Sequence, residues 1–162
     1  MDGNFAMKLC PCGNRTDPNA VCRCSADQIQ RYQGRLSGPF LDRIDMHIEV
    51  PRVERDALQS VDETAESSYA VRERVTKARA MQLDRCGKIN SQMDVKDIDK
   101  HCALGKSDMA LLDQAMQRLN LSARAFHRVL KVARTVADLS GDKNITTASL
   151  TEAVSYRSLD RG

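Results

Sequence analysis

Four of the six cysteines lie close together near the start of the chain, in the stretch CPCGNRTDPNAVCRC. Cys10 and Cys12 form one C-x-C pair, and Cys22 and Cys24 form a second pair after nine intervening residues. Thiolates are strong zinc ligands, and four of them complete a closed tetrahedral structural site. Because the loop has little apolar content, a bound metal would supply its order. The spacing predicts a structural zinc site, with disulfides or free thiols of a degenerate site as the alternatives.

The cellular compartment bears on this choice. The first residues, MDGNFAMKL, lack the basic and apolar regions of a signal peptide, and no apolar run approaches the roughly 20 residues of a membrane span. We therefore expect a cytoplasmic protein without a membrane partner, in which thiols stay reduced, and this favours metal over disulfides. Cys86 and Cys102 stand alone in helical segments and are expected to be buried as small apolar residues.

A second candidate is Arg43, in the stretch SGPFLDRIDMHIEV. It stands at the junction of a short helix and a predicted strand, and such a junction can present a guanidinium to a group outside the domain. The alternative is an ordinary surface arginine or an ion pair with Asp42 or Asp45. From composition alone the alternative is favoured.

A third candidate is the helix predicted in LSARAFHRVLKVARTVADL. Its helical periodicity places basic side chains on a face opposite the apolar one: Arg124, His127, Arg128, Lys131 and Arg134. Such a stripe is usually a solvated face. Arg124 differs in position because it lies in the first turn after the predicted cap Ser122, where free backbone N–H groups favour anions and an arginine adds a grip on phosphate.

The elements that would hold these residues are mainly helical. Ile44, Met46, Ile48 and Val50 alternate with polar residues, which predicts a strand that Pro51 ends, and residues 3–9 offer one more strand. Residues 52–65 are charged and predict a linker. From residue 66 the spacing of apolar residues predicts a bundle of four or five helices with short connections to residue 162.

Bulk composition narrows the function only a little. The 162 residues suit one domain or two small ones, and an apolar fraction of 41% with 4% aromatics predicts an aliphatic, helical core. The net charge of +3 is a weak argument for nucleic acid as a partner. The sequence contains no phosphate-binding P-loop and no order of residues typical of a catalytic triad, so it shows no complete active site.

Several long blocks of this sequence resemble one family. They are AMKLCPCG, DPNAVCRCSADQIQRYQGRLSGPFLDRIDMHIEVPRV and SARAFHRVLKVARTVADLSGDKNITTASLTEAVSYRSLDR. Together they resemble the C-terminal third of the bacterial magnesium-chelatase-like AAA+ ATPases of the ComM (YifB) group, over nearly all of residues 5–161. The resemblance implies a mainly α fold with residues 1–51 as the remnant of an AAA+ α/β core, residues 52–65 as a linker and residues 66–162 as the helical lid.

Members of that family are hexameric ring ATPases, and the competence member is a DNA helicase that promotes branch migration in natural transformation. In the family motif LLDRID the arginine is the arginine finger, and the matching residue here is Arg43. In the motif SARxxHRxLKVARTxADL the first arginine is similar to the sensor-2 residue, and its match is Arg124. The resemblance therefore implies ATP and Mg²⁺ as cofactors of the whole protein, a hexameric homo-oligomer and DNA as a partner.

The sequence departs from the family in two places. The P-loop and the acidic Mg²⁺-binding motif lie upstream in the family and are absent here, so we expect this chain by itself not to hydrolyse ATP. Lys8 and Leu9 stand where the family usually has Asn-Pro, with the asparagine as sensor 1. Two other functional classes stay open: a stand-alone zinc-stabilised nucleic-acid-binding module that uses the basic stripe, and a helical protein-interaction module.

Overall fold

The structure is a computed structural model that describes residues 5–15, 17, 19–50, 53 and 65–157. All regular elements in these ranges are helices, which confirms the prediction of a mainly α fold. The chain divides into two compact units. Unit 1 comprises Met1–Phe40 with Glu49–Glu63, and unit 2 comprises Leu41–Ile48 with Thr64–Gly162.

Unit 1 contains the cysteine loop and helix α1, Ala26–Gln33, and the short helix α2, Gly38–Leu41, begins at its end. Ser25 caps α1: its Oγ accepts from the backbone N–H of Gln28 at 3.3 Å, and Gln28 Oε1 accepts from the N–H of Ser25 at 3.0 Å. This reciprocal pair satisfies two N–H groups that the first turn leaves open. At the other end of α1, Gln33 Nε2 donates to the carbonyl of Leu9 at 3.1 Å and ties the helix to the loop.

Unit 2 is a helical bundle. Its helices are α3, Ser68–Cys86; α4, Val95–His101; α5, Lys106–Arg118; α6, Ala123–Ser140; and α7, Thr147–Ser155, with a 3₁₀ turn at Asn90–Gln92. Side-chain caps set the starts of two helices: Ser122 caps α6, as the sequence predicts, and Thr146 caps α7. Gly87 and Gly141 end α3 and α6 with φ of 70° and 79°, the left-handed region that favours glycine.

Helix α6 lies at the centre of the bundle and contacts α3, α4, α7 and the 3₁₀ turn. On its apolar face Val129, Leu130, Ala133 and Ala137 are buried, whereas Phe126 and Val136 are half-buried, with Phe126 packed against the core. Leu112 of α5 and Leu150 of α7 are fully buried as well. Burial also raises the pKa of the Cys102 thiol to about 11, so this cysteine is an inert core residue, as expected.

The strand predicted over residues 44–50 is not formed. The segment has no regular secondary structure, and two of its backbone groups bond to residues just after α7: the N–H of His47 donates to the carbonyl of Tyr156 at 2.7 Å, and the carbonyl of Ile44 accepts from the guanidinium of Arg157. A strand needs a neighbour with which to share a ladder, and the described part of the chain, residues 5–9 included, supplies none. The period-two alternation is therefore real in the sequence without producing a strand.

Apart from Val53 and Ala65, the predicted linker 52–65 lies outside the described residues, and the domain limits 1–51 and 66–162 stay predictions.

On α3 only Ala78 and Gln82 are buried, whereas Val71 and Val75 are 37% and 48% exposed. Helix α3 is therefore buried only in its C-terminal half. None of the described helices has both the length and the apolar character needed to cross a membrane.

Candidate metal centre and arginine sites

The four clustered cysteines come together in space. Their Sγ atoms all lie within 4.8 Å of one another, with 3.4 Å between Cys10 and Cys12, 3.6 Å between Cys12 and Cys22 and 3.7 Å between Cys10 and Cys22. None is in a disulfide, whose S–S bond of about 2.0 Å is much shorter. A tetrahedral site with metal–sulfur bonds of about 2.3 Å has sulfur–sulfur edges of about 3.8 Å. The geometry of the four thiols therefore fits a metal ion.

Local backbone structure explains how so tight a C-x-C pair points inward. The N–H of Gly13 donates to the carbonyl of Cys10 at 3.1 Å, which closes a turn around Pro11 and Cys12. Gly13 has φ of 78°, and a Cβ there would also meet the Lys8 side chain at 3.2 Å, so glycine suits this position. Cys10 is fully buried and Cys12 is exposed, so the cluster lies at the edge of unit 1.

The thiols of the cluster differ in acidity. The backbone N–H of Asn14, followed by the thiols of Cys10 and Cys24, lowers the pKa of Cys12 to about 6. The backbone N–H of Cys12 also lowers the pKa of Cys24, but the Cys12 thiol and desolvation outweigh this and raise it to about 11. Ionisation of one thiol thus makes ionisation of its neighbour less favourable. A bound cation would offset this repulsion and hold all four cysteines as thiolates.

Arg43 is exposed and forms no hydrogen bond or ion pair with any described residue. The ion pairs weighed as its alternative role, with Asp42 or Asp45, are not observed. Asp42 lies 3.8 Å from Nη2 of Arg157, and Asp45 accepts a hydrogen bond from Arg128 of α6. Both flanking carboxylates are thus engaged by other arginines.

These contacts hold the Arg43 turn, which we define as residues 41–45. The N–H of Ile44 donates to the carbonyl of Leu41 at 3.0 Å, and the fully buried Arg157 donates to the carbonyl of Ile44. Arg128 and Arg157 therefore fix the residues on both sides of Arg43 to α6 and to the end of α7. The guanidinium of Arg43 itself is left facing solvent.

Arg124 lies exposed in the first turn of α6, where Ser122 Oγ accepts from the N–H of Ala125 at 3.3 Å. The rest of the predicted basic stripe is largely engaged in unit 2, since Lys131 donates to the carbonyl of Ser91 at 3.1 Å. The prediction is wrong for Arg134, which is 1% exposed. Its side chain turns towards the end of α6 and donates to the carbonyls of residues 142 and 143 at 2.7 and 3.0 Å.

A polar cluster that the sequence analysis missed joins α3 to α6. Arg85 donates to both carboxylate oxygens of Asp138 at 2.6 and 2.8 Å, and Asn90 Nδ2 donates to Asp138 at 2.8 Å. Burial raises the pKa of Asp138, but the hydrogen bonds from Arg85 and Asn90 and the charge of Arg134 outweigh it, so its pKa lies below the ordinary value. The partners lie 48 and 53 residues apart in sequence, so only the fold brings them together.

Comparisons with known proteins define the class to which this helical bundle and cysteine loop belong. Residues 65–157 match the family "Magnesium chelatase, subunit ChlI C-terminal", and residues 4–58 match "Magnesium chelatase, subunit ChlI". The chain belongs to the magnesium chelatase ChlI C-terminal family, which confirms the resemblance drawn from the sequence. Proteins of this AAA+ family generally oligomerise and bind nucleotide.

Individual relatives agree with this assignment. The chain is 46% identical over 156 residues to the competence protein ComM of Haemophilus influenzae, a match that covers 96% of this chain and 30% of ComM. It is 44% identical over 139 residues to YifB of Escherichia coli, covering 86% and 28%, and 33% identical over 157 residues to a protein of Mycobacterium tuberculosis, covering 94% and 30%. The chain thus spans about a third of the length of these curated relatives.

Proposed function

We propose that this chain is the C-terminal segment of a ring-forming AAA+ ATPase of the ComM type, which moves branched DNA. In this role Arg43 is the arginine finger that reaches the ATP of a neighbouring subunit, and Arg124 is the sensor-2 residue. ATP and Mg²⁺ would be bound by a nucleotide-binding core, and the ring would be a hexamer. The family membership and the 46% identity to ComM support this proposal.

The observation that carries it is the state of Arg43. During phosphoryl transfer, charge develops on the transferred group, and an arginine supplied from outside the site stabilises it. A finger must therefore be rigidly placed yet unneutralised. Arg43 is exposed and unpaired among the described residues, while the carboxylates on either side of it are held by Arg128 and Arg157. An arginine that first had to leave its own aspartate would lose much of that stabilisation.

Arg124 supports the second role. It lies in the first helical turn, where unpaired backbone N–H groups and the positive end of the helix dipole favour an anion. Its guanidinium forms no ion pair among the described residues. We propose that it contacts phosphate of the nucleotide held by its own subunit.

We further propose that Cys10, Cys12, Cys22 and Cys24 hold a metal ion and that this ion is zinc. Four thiolates with tetrahedral spacing form a closed site that leaves no position for water or substrate. Such a site is structural: it orders the loop and takes no part in hydrolysis.

The test is a chimaera in which this chain replaces the matched 30% of Haemophilus ComM. We expect Arg43→Ala to lower ATP turnover by about 10³-fold or more while ATP binding is retained. Arg124→Ala should instead weaken ATP binding. Turnover is measured by phosphate release and binding with a fluorescent ATP analogue, and Arg72→Ala on the exposed face of α3 is the matched control.

A mixing experiment separates action in trans from action within one subunit. Arg43→Ala subunits are combined with subunits that cannot bind ATP, neither of which hydrolyses ATP alone. If the finger acts in trans, mixed rings regain activity, because an intact Arg43 then faces an intact ATP site. Unchanged turnover in Arg43→Ala, or no recovery on mixing, would contradict the assignment.

A further inference from the structure

Beside the cysteine cluster lies a pocket to which neither the family match nor the proposed ATPase roles assign a ligand. It lies between the cysteine loop and α1 within unit 1, has a volume of about 630 Å³ and is open to solvent, with the side chains of Arg23, Arg31 and Arg35 exposed. Its walls include three arginines, Arg23, Arg31 and Arg35, together with the ring of Tyr32 and the amide of Gln28. Among the described residues that line it, none is acidic.

The three guanidinium groups are not neutralised within the described part of the chain. Arg31 Nε donates at 3.4 Å to the backbone carbonyl of Asp27, not to its carboxylate, and Arg23 and Arg35 form no ion pair with any residue that the structure describes. Three like charges around one concavity create a positive potential there and favour a polyanion. Arginine in particular binds phosphate, since its planar guanidinium group can donate two parallel hydrogen bonds to phosphate oxygens.

The walls of the pocket are held in place from both sides. Arg31 lies on α1, whose first turn is capped by Ser25 and whose last turn is tied to Leu9. Arg35 lies in the turn that follows α1, where its N–H donates to the carbonyl of Tyr32 at 3.3 Å. Arg23 lies between Cys22 and Cys24, so the thiol cluster fixes its position on the opposite wall. The pocket is thus built by the same contacts that order unit 1.

An aromatic ring distinguishes this pocket from a simple basic patch. Tyr32 is half-buried in the wall, and the guanidinium carbon of Arg35 lies 6.0 Å from its ring centre. Rings that line a basic groove provide stacking platforms for the bases of single strands, and bases inside a duplex cannot reach them. Free phosphate and the carboxylate groups of an acidic peptide have no flat face that could stack on such a ring.

We propose that this pocket binds single-stranded nucleic acid, with phosphodiester groups held by Arg23, Arg31 and Arg35 and a base stacked on Tyr32. The proposal deepens the DNA-binding part of the proposed function by naming the strand form and the contacting residues. It depends on neither Arg43 nor Arg124. Loss of the pocket would leave the finger experiment unchanged, and failure of the finger assignment would leave strand binding unchanged.

The test measures binding of fluorescein-labelled oligo(dT) of 20 nucleotides to the zinc-loaded chain by anisotropy, at several salt concentrations. Substituting Arg23, Arg31 and Arg35 by Gln should weaken binding and reduce the slope of log K against log salt by about 2, because three phosphate contacts are lost. Tyr32→Leu should weaken binding about tenfold at an unchanged slope. The control triple variant Arg72→Gln, Lys77→Gln, Arg79→Gln removes the same charge from exposed positions of α3.

The outcomes decide the proposal. Weaker oligo(dT) binding by the pocket variants, with unchanged binding by the α3 control, supports the proposal, provided that circular dichroism shows the same thermal transition for all variants. Equal loss in both triple variants would mean general charge attraction and would overturn it. Duplex DNA that binds as tightly as oligo(dT) would also overturn the proposal. Displacement of oligo(dT) by polyglutamate at equal charge would overturn it in favour of an acidic protein partner.

Discussion

At the scale of single residues, the arginines of unit 2 divide into those that are engaged and those that are exposed. Arg157 and Arg134 are buried, at 0% and 1% exposure, and each donates to backbone carbonyls as well as lying near a carboxylate. Arg43 and Arg124 are exposed without such partners among the described residues. A buried arginine that bridges a carbonyl and a carboxylate fixes backbone, whereas an unpaired one is available to a ligand.

Arg157→Lys tests whether the buried arginine positions the Arg43 turn. A lysine keeps the charge but lacks the fork that reaches both the carbonyl of Ile44 and Asp42, so we expect a loss of about 1 to 3 kcal/mol in the free energy of unfolding. Urea denaturation of the chain measures it, with Arg72→Lys as the exposed control. In the ComM chimaera the same variant should lower turnover with ATP binding retained; a variant that loses stability without any effect on turnover would limit Arg157 to folding.

At the scale of elements, the helices could be predicted from the sequence because the residues that begin and end a helix act locally. Caps such as Ser25, Ser122 and Thr146, and the stop at Gly87, act within one turn of the helix that they bound. The prediction of a strand at residues 44–50 was wrong because a strand needs a neighbouring strand with which to pair. The local sequence pattern does not show whether such a neighbour exists. Of the candidate site, the cysteine cluster followed from spacing, whereas the clamp on the Arg43 turn could not be foreseen, since Arg157 lies 113 residues from Ile44.

The cluster around Asp138 predicts how the contact of α3 with α6 depends on pH. Because the folded-state pKa of Asp138 lies below its ordinary value, its carboxylate contributes stability above the unfolded pKa, and this is lost as pH falls through the folded pKa. Asp138→Asn leaves Arg85 and Arg134 without their carboxylate and should cost about 3 to 5 kcal/mol at pH 7.

Urea denaturation from pH 7 to pH 3 checks this expectation. The difference between Asp138→Asn and the unaltered chain should stay constant down to about pH 5 and shrink below about pH 4, near the unfolded pKa of aspartate. Asp113→Asn, at an exposed position of α5, is the control and should change stability by less than about 0.5 kcal/mol. A difference that persists undiminished at pH 3 would show that the carboxylate charge is not what stabilises this contact.

At the scale of the whole molecule, the two units differ in what holds them together. Unit 2 has a core of buried aliphatic side chains from α4, α5, α6 and α7. In the described part of unit 1 the buried apolar residue is Cys10, whose Sγ lies 3.4 Å from that of Cys12 and 3.7 Å from that of Cys22. A segment with so little apolar burial does not offset its conformational entropy, so the ordering of unit 1 should depend on the metal.

Metal removal should therefore affect the units unequally. We expect the purified chain to carry about one zinc per molecule, and chelation or Cys22→Ser to open residues 5–40 to protease while the thermal transition of the helical bundle stays in place. Cys86→Ser is the matched control: Cys86 packs against the bundle core, so it should keep the metal and alter only the bundle. Metal analysis, combined with limited proteolysis and mass spectrometry, reports on both units in one experiment.

Because Arg23 lies between two of the proposed metal ligands, the same chelation should also weaken oligo(dT) binding. A metal-free loop that stays protected from protease and binds oligo(dT) unchanged would contradict the dependence of the pocket on the cysteine cluster.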